Sequence, residues 1–322
     1  MAAGVGQLIQ VNDFNSIRTK INNVMGTGTD GYGQALSSID ATNSTTQTAT
    51  FWNNLRIDIA KCRGHQTGSN ELLNLLEPVS ATPGAGQVQI ISETVRSQYD
   101  TMADACVTNN RVCAVGQGSV ESITNGVGTR TTNWRVKITH SVTTAFTSAL
   151  EARYFFNAGG EIRFSGSRTG TTSNTKSTNW TNLLSNMGTI FLNHTLTGTV
   201  SGAASPGTGT AIGFYDLTTS NQQIYIKNAT AGTYAENNYR ILARLNTAFG
   251  SGTEPTSVIF TIEFTDADTG DQQGGYLPGP AVDEFVTGDL NSTVSMFRPS
   301  GSNVSVTGPT IASPTFSGSL IS

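Results

Sequence analysis

Charge is scarce in this chain. Only 12% of its 322 residues are Asp, Glu, Lys or Arg, about half the usual share of ~25%. Thr, Ser, Asn and 35 glycines stand in their place. A surface so poor in charge suits turn-rich β structure held by neutral hydrogen bonds, and faces that desolvate few ions when a neighbour covers them. The 18 basic residues are scattered and outnumbered by 22 acidic ones, for a net charge of −4. That balance argues against a nucleic-acid binder, which needs clustered Lys and Arg to displace phosphate counterions. No stretch approaches the ~18 apolar residues of a membrane span, and residues 1–6 lack the basic and apolar regions of a signal peptide. Neither a membrane partner nor secretion through a leader is expected. The three cysteines, Cys62, Cys106 and Cys113, are odd in number and widely spaced. They suggest reduced, buried thiols in a protein assembled in a cytoplasm, with a Cys106–Cys113 bridge left open.

What is present is ordered. Hydrophobic residues make up 36% of the chain, too many for a disordered segment, and its length suits one large domain or two ordinary ones. The first third has a helical period. Asp13 is placed to cap a helix carrying Phe14, Ile17, Ile21 and Val24, which ends at Gly26. A second helix carries Phe51, Leu55 and Ile59 at four-residue spacing, flanked by Trp52 and closed by Gly64. A third, over residues 88–106, puts Ile91, Val95, Tyr99, Met102 and Cys106 on one face. Between them, residues 71–76 form a short apolar piece ended by Pro78.

Past a Gly, Ser, Thr and Asn-rich stretch at 116–133 the period changes to two. Residues 134–142 alternate, so that Val136, Ile138, His140 and Val142 share a face. Further strands are expected at 161–165, 189–200, 211–217, 222–227, 239–245 and 258–264. A helix over 176–186 interrupts them, with Trp180, Leu183, Leu184 and Met187 packing over a sheet edge. Few crossovers of helix size separate these strands, so an antiparallel β-sandwich, jelly-roll or Ig-like, is favoured over a parallel sheet. From residue 271 onward the chain is sparse in apolar residues and reads as an extended arm with isolated anchors such as Phe297 and Phe316. The expected fold is therefore α+β: a helical part over 1–115, a sandwich over 116–270 and a C-terminal tail over 271–322.

Chemistry is harder to find. His65, His140 and His194 lie outside metal-ligand spacing of one another and of any cysteine. His140, on its strand face, and His194, on a strand face with Ile190, Leu192 and Leu196, read as hydrogen-bonded core or interface residues. The run from Asp266 to Asp271 has alternating carboxylates, but its glycine sits wrongly for a calcium loop and no closing acid follows. Glu151, Glu161, Glu263 and Asp266 are candidates for paired-carboxylate hydrolysis, and are equally explained by pairing with Arg163, Arg240 or Arg244. Gly159-Gly160 and Gly274-Gly275 lack the context of a phosphate cradle. No catalytic residue, cofactor or metal is expected.

The most distinctive stretch is Arg153-Tyr154-Phe155-Phe156-Asn157-Ala158-Gly159-Gly160-Glu161-Ile162-Arg163-Phe164. Its glycine pair suits a tight turn, and Ile162 and Phe164 then alternate with Glu161 and Arg163, which predicts a β-hairpin. The three consecutive aromatics put weight on both faces of the first strand, for burial rather than for stacking on a glycan.

This segment, together with Asp13-Phe14-Asn15, Gly31-Tyr32-Gly33-Gln34, the run from Trp52 to Ile59 ending near His65-Gln66-Thr67-Gly68, and Ile212-Gly213-Phe214-Tyr215-Asp216-Leu217, resembles virion structural proteins of tailed bacteriophages, especially those of cyanophages. The resemblance spans about the first three-quarters of the chain. It implies a non-enzymatic particle component, a tail, neck or baseplate appendage, working in the virion after assembly in the host cytoplasm. Capsid decoration and glycan-binding tail-fibre roles are the alternatives. It further implies partners among other virion proteins and its own copies, as a trimer or hexamer, with a host surface glycan as a further possible partner. Phe14, Ile17, Ile21, Phe51, Trp52, Leu55, Tyr154, Phe155, Phe156, Phe297 and Phe316 are the residues expected at interfaces or in packing.

Overall fold

The structure, a computed structural model, describes residues 11–28, 30–44, 48–68, 76–79, 91–109, 119–121, 126–170, 174–230, 234–250, 252, 254–267 and 285–320. Residues 71–75, the second half of the acidic run after Asp266, Cys113 and residues 271–284 lie outside these. The chain divides into two compact units. One comprises Met1–Ser119, Arg153–Gly159 and Arg298–Thr307, and the other Val120–Ala152, Gly160–Phe297 and Gly308–Ser322.

The first unit is built on α1 (Val11–Met25), α2 (Ala49–Thr67) and α3 (Glu93–Thr108). Phe14, Ile17, Ile21 and Val24 are buried, as their spacing predicts. Phe14 packs on Phe51 at 4.3 Å and edge-on against Trp52 at 4.9 Å, and Trp52 approaches Tyr99 of α3 at 6.2 Å. The apolar faces therefore fill one another. The helix ends differ from expectation. α1 already runs from Val11, so Asp13 lies in its first described turn rather than at a cap. Gly64 lies inside α2, which Thr48 caps and which ends at Gly68, left-handed at φ 74°. α3 begins only after its cap, Ser92. Two side-chain amides act as strand partners for the loops between helices. Asn15 exchanges two bonds with the backbone of Ala41, and Asn53 two with that of Val79.

The second unit contains two antiparallel sheets. In the first, β1 (Ser119–Glu121), β11 (Asp289–Arg298), β4 (Glu161–Thr169), β5 (Ile190–Leu192) and β6 (Thr197–Thr199) lie in that order, and β2 (Val127–Arg130) also pairs with β11. In the second the order is β12 (Thr310–Ile311), β3 (Trp134–Ala145), β10 (Ser257–Thr265), β9 (Asn238–Leu245), β8 (Gln222–Asn228) and β7 (Thr208–Gly209), with β13 (Thr315–Leu320) also on β3. Inward positions alternate as β structure requires: Tyr239, Ile241, Ala243 and Leu245 on β9, and Val258, Phe260, Ile262 and Phe264 on β10. The sheets meet where Phe164 stands 4.8 Å from Phe260. Helix α5 (Thr175–Met187) buries Trp180, Leu183, Leu184 and Met187, the face predicted for it. It lies on central strand β4 rather than on an edge, over Gly166, where an added Cβ would come within 3.1 Å of Leu184.

Several sequence expectations are corrected here. The aromatic run is not a hairpin strand. It ends helix α4 (Ala149–Asn157), and Gly159, at φ 89°, follows that helix before β4 begins. Ser148 Oγ accepts from Glu151 N–H, and the Ser148-Ala149-Leu150-Glu151 run is a helix-start signature that outweighs the strand propensity of the aromatics. Val136 leaves the alternating face: its φ is 70° and it is 55% exposed. The stretch 189–200 is two short strands, β5 and β6, with Asn193 bonding the turn through its side chain, so His194 sits in a turn and Leu196 is exposed. Residues 211–217 contain a single 3-10 turn, Phe214–Asp216, whose Asp216 carboxylate accepts from Gly213 N–H. Finally, the C-terminal segment is no extended arm as far as it is described. β11 sits between β2 and β4 and buries Leu290, Val294 and Met296.

Candidate functional site

Parts of three motifs singled out in the sequence, around Tyr32, His65 and Tyr154, meet in the first unit, while residues 212–217 lie in the second. Tyr32 is fully buried and packs edge-on against His65, their rings 4.5 Å apart. Gly33, at φ 72°, lies under the Tyr154 ring, and the Tyr154 hydroxyl accepts from Gly28 N–H at 2.7 Å. Arg153 pairs with Asp30 at 2.5 Å, and Asn157 donates to the Asp30 carbonyl. Gln34 donates to the carbonyl of Ser305 in a loop closed by Arg298 on Val306. This is a structural junction, with backbone groups and rings as its currency. His65 has no hydrogen-bond partner among the described residues, and burial pushes its pKa down to about 4, so it serves as a neutral ring.

Of the residues expected at interfaces or in packing, Phe14, Ile17, Ile21, Trp52, Leu55, Phe155 and Phe156 are at most 2% exposed and belong to the core. Phe51 and Tyr154 are half-buried. Phe297 is half-buried under the Arg163 guanidinium, and Phe316 stacks edge-on against His140 at 4.2 Å. His140 lies between Phe316 and Phe264 with no hydrogen-bond partner among the described residues; burial, with Arg130 nearby, lowers its pKa to about 3. It is a ring in the core rather than a hydrogen-bonded residue.

The carboxylates weighed for hydrolysis are all engaged. Glu151 accepts from the Thr147 backbone and hydroxyl at the start of α4. Glu161 pairs with Arg163 at 2.7 Å. Glu263 is held between Lys137 and Arg240. Burial pushes its pKa up, but the hydrogen bonds and charges of those two cations outweigh it and hold it below the usual value.

Asp266 does not pair with an arginine. It meets Lys176 at 3.0 Å, with both side chains fully buried, and the sequence reading missed this pair. Lys176 sits in the first turn of α5, which Asn174 caps by accepting from Ser177 N–H. Its Nζ lies 5.6 Å from the centre of the Tyr234 ring. Asp266 extends β10, and its N–H donates to the carbonyl of Val136, the residue with positive φ. Asn237, the residue before β9, is fully buried. Its Oδ1 accepts from Ala267 N–H at 3.0 Å, while its Nδ2 has no hydrogen-bond partner among the described residues. Its own backbone is fixed by Tyr234 and Ala229. Lys176 and Asp266 thus form an ion pair out of water, and Asn237 is buried against the backbone of the residue that follows Asp266.

Among the described residues no group of three or more His, Cys, Asp or Glu could hold a metal ion, and no helix is long and apolar enough to cross a membrane. Two open grooves lie in the first unit. One of about 560 Å³ is lined mostly by polar residues of α1, including Asn12, Ser16, Thr19 and Asn23. No family model matches the chain, and neither a curated protein nor a solved structure is found to be similar to it.

Proposed function

We propose that this protein is a non-enzymatic structural component of a tailed phage virion, a tail, neck or baseplate appendage. In this reading the two sheets form a β-sandwich of the jelly-roll or Ig-like kind, and the protein works as a trimer or hexamer docked on other virion proteins. One observation carries it: the motifs responsible for the resemblance to virion proteins are spent on scaffold. Tyr32, Gly33, His65 and Tyr154 pack on one another and on backbone, and none faces a substrate-sized, carboxylate-lined cleft among the described residues. The scarcity of charge suits subunit contact, because covering a neutral surface costs little desolvation.

The expected mechanism shifts in one respect. The apolar helix faces are consumed inside the helical unit, so docking falls to neutral polar surface such as the Asn- and Thr-lined face of α1.

The test is to purify phage particles carrying this protein through a density gradient and label them with an antibody against it under the electron microscope. Label at the tail, neck or baseplate supports the proposal. Label over the capsid supports decoration instead, and particles free of the chain by mass spectrometry sink the virion reading.

A further inference from the structure

Two thiols meet inside the first unit. Ile59, Cys62 and Gln66 recur at helical spacing on one face of α2, and all three are buried. Cys106 of α3 lies on that face. Its Sγ points at the Ile59 carbonyl at 3.9 Å, its own carbonyl accepts from Gln66 Nε2 at 2.8 Å, and its thiol is hydrogen-bonded to that of Cys62. Ile59 and Gln66 therefore bracket Cys106, with Cys62 between them. Trp52 against Tyr99 holds the same two helices together nearer their starts. A single buried cysteine is only a small apolar residue. Two in contact across separate helices are also the two halves of a disulfide, and among the described residues no third His, Cys, Asp or Glu joins them as a metal site would require.

We propose that Cys62 and Cys106 are the bridging pair of this chain, joining α2 to α3 through a disulfide when the protein folds in the presence of a disulfide oxidant such as oxidised glutathione. One cysteine, as thiolate, attacks a glutathione sulfur; a protein–glutathione S–S bond forms and one glutathione leaves as a thiolate. The second cysteine attacks the protein sulfur of that mixed disulfide, the protein disulfide forms and the second glutathione leaves. Two protein thiols are oxidised, one glutathione disulfide is reduced to two glutathione thiols, and the protons of the protein thiols end on them. Apposition of the two cysteines favours the second, intramolecular step. Sequence spacing left Cys113 open as the partner of Cys106; the contact between α2 and α3 names Cys62 instead.

Burial sets the timing. Both thiols are fully shielded in the folded chain, so the bridge is made while the helices come together and, once made, is shut away from reductant. It closes the chain between residues 62 and 106 and so removes freedom from the unfolded state. This holds independently of where the protein works.

The test refolds the full chain from denaturant, its thiols first reduced, with and without a mixture of oxidised and reduced glutathione, and reads the products by intact mass and non-reducing peptide mapping. The oxidised arm should give a chain lighter by two hydrogens, with the peptide of Cys62 joined to that of Cys106. Its melting midpoint should lie about 5 °C or more above that of the reduced chain, and dithiothreitol should open it only after denaturant is added. Free thiols at both positions after oxidative refolding overturn the proposal, and so does a bridge that joins Cys113 to either residue. The same glutathione mixture added to chain already folded and reduced should leave it unbridged; ready bridging there overturns the timing. Cys62→Ala should leave Cys106 unbridged. Should that variant not fold, Cys113→Ser, which keeps only the proposed pair, should bridge with the yield of the parent, and a fall in yield overturns the pairing.

Discussion

Gly33 lies directly beneath the ring of Tyr154. A Cβ built on Gly33 would stand 2.2 Å from Tyr154 Cδ2, and the glycine φ is 72°. Gly33→Ala therefore meets two costs, the left-handed backbone, at about 1–2 kcal/mol, and a ring that must move. Gly28 offers the control, since its φ is 75° but no atom lies within 4 Å of its would-be Cβ. Gly28→Ala should lower stability by the backbone cost of about 1 kcal/mol alone, and Gly33→Ala by about 3 kcal/mol, in the range of core overpacking. Urea unfolding midpoints of the two variants check the difference. Equal losses would mean that Tyr154 is not packed there.

Acid should weaken the fold before any carboxylate titrates. His65 and His140 have folded pKa values lowered to about 4 and about 3, against about 6.5 in an unfolded chain. Below that value the unfolded state takes up protons that the folded state refuses. The contribution of each ring is full above about pH 6.5 and shrinks by about 2 kcal/mol between about pH 7 and about pH 5. Glu263, also depressed, adds its loss only at lower pH, in the carboxylate range. Thermal melts across this range should show midpoints falling on acidification, and His140→Phe should flatten that slope. A flat profile in the parent chain would place both rings in contact with solvent.

Much of the buried site was legible from period alone. Val258, Phe260, Ile262 and Phe264 alternate inward on β10, and Asp266 is the next residue of that series. Tyr239, Ile241, Ala243 and Leu245 do the same on β9, and Asn237 precedes them in step. Lys176 occupies the helical face of Trp180, Leu183, Leu184 and Met187. Three polar residues at apolar positions thus announced a buried polar group. That Lys176 meets Asp266 depends on the seat of α5, and that Asn237 reaches the Ala267 backbone depends on the pairing of β9 with β10; both are non-local and leave no local mark. The aromatic run was misread for the opposite reason. The local signal, Ser148 three residues before Glu151, was present, but strand propensity and the glycine pair pointed elsewhere. β11 was missed because its inward series, Leu290, Ser292, Val294 and Met296, includes a buried serine and only one β-branched apolar residue.

Deleting residues 271–322 should destroy the second unit rather than merely release a clasp. The deletion removes β11 from between β2 and β4, and with it Leu290, Val294 and Met296. Each such side chain contributes about 1.5–3 kcal/mol on burial, a large part of a typical stability of ~5–15 kcal/mol. Deleting only residues 310–322, which removes β12 and β13 from β3, should leave a cooperative but lower melt. Light scattering with circular dichroism separates the cases. A soluble, folded chain lacking residues 271–322 would show that β11 is dispensable.

Cys62 and Cys106 should be silent thiols. The hydrogen bond with Cys106, then burial, pushes the Cys62 thiol well above its usual pKa, and both residues are fully buried. Cys106 Sγ also points at the carbonyl of Ile59, 3.9 Å away. Only the thiolate attacks a disulfide reagent, so a raised pKa and lack of access suppress reaction together. In a chain carrying Cys113→Ser, no thiol should titrate with an aromatic disulfide reagent at neutral pH until denaturant is added, and two should then appear with the unfolding transition. Cys62→Ala leaves a gap beside Cys106 and should lower stability by about 1 kcal/mol, as removal of a small buried group does, without exposing Cys106. Prompt reaction of either thiol in the native chain would show that the interface between α2 and α3 opens on the timescale of the assay.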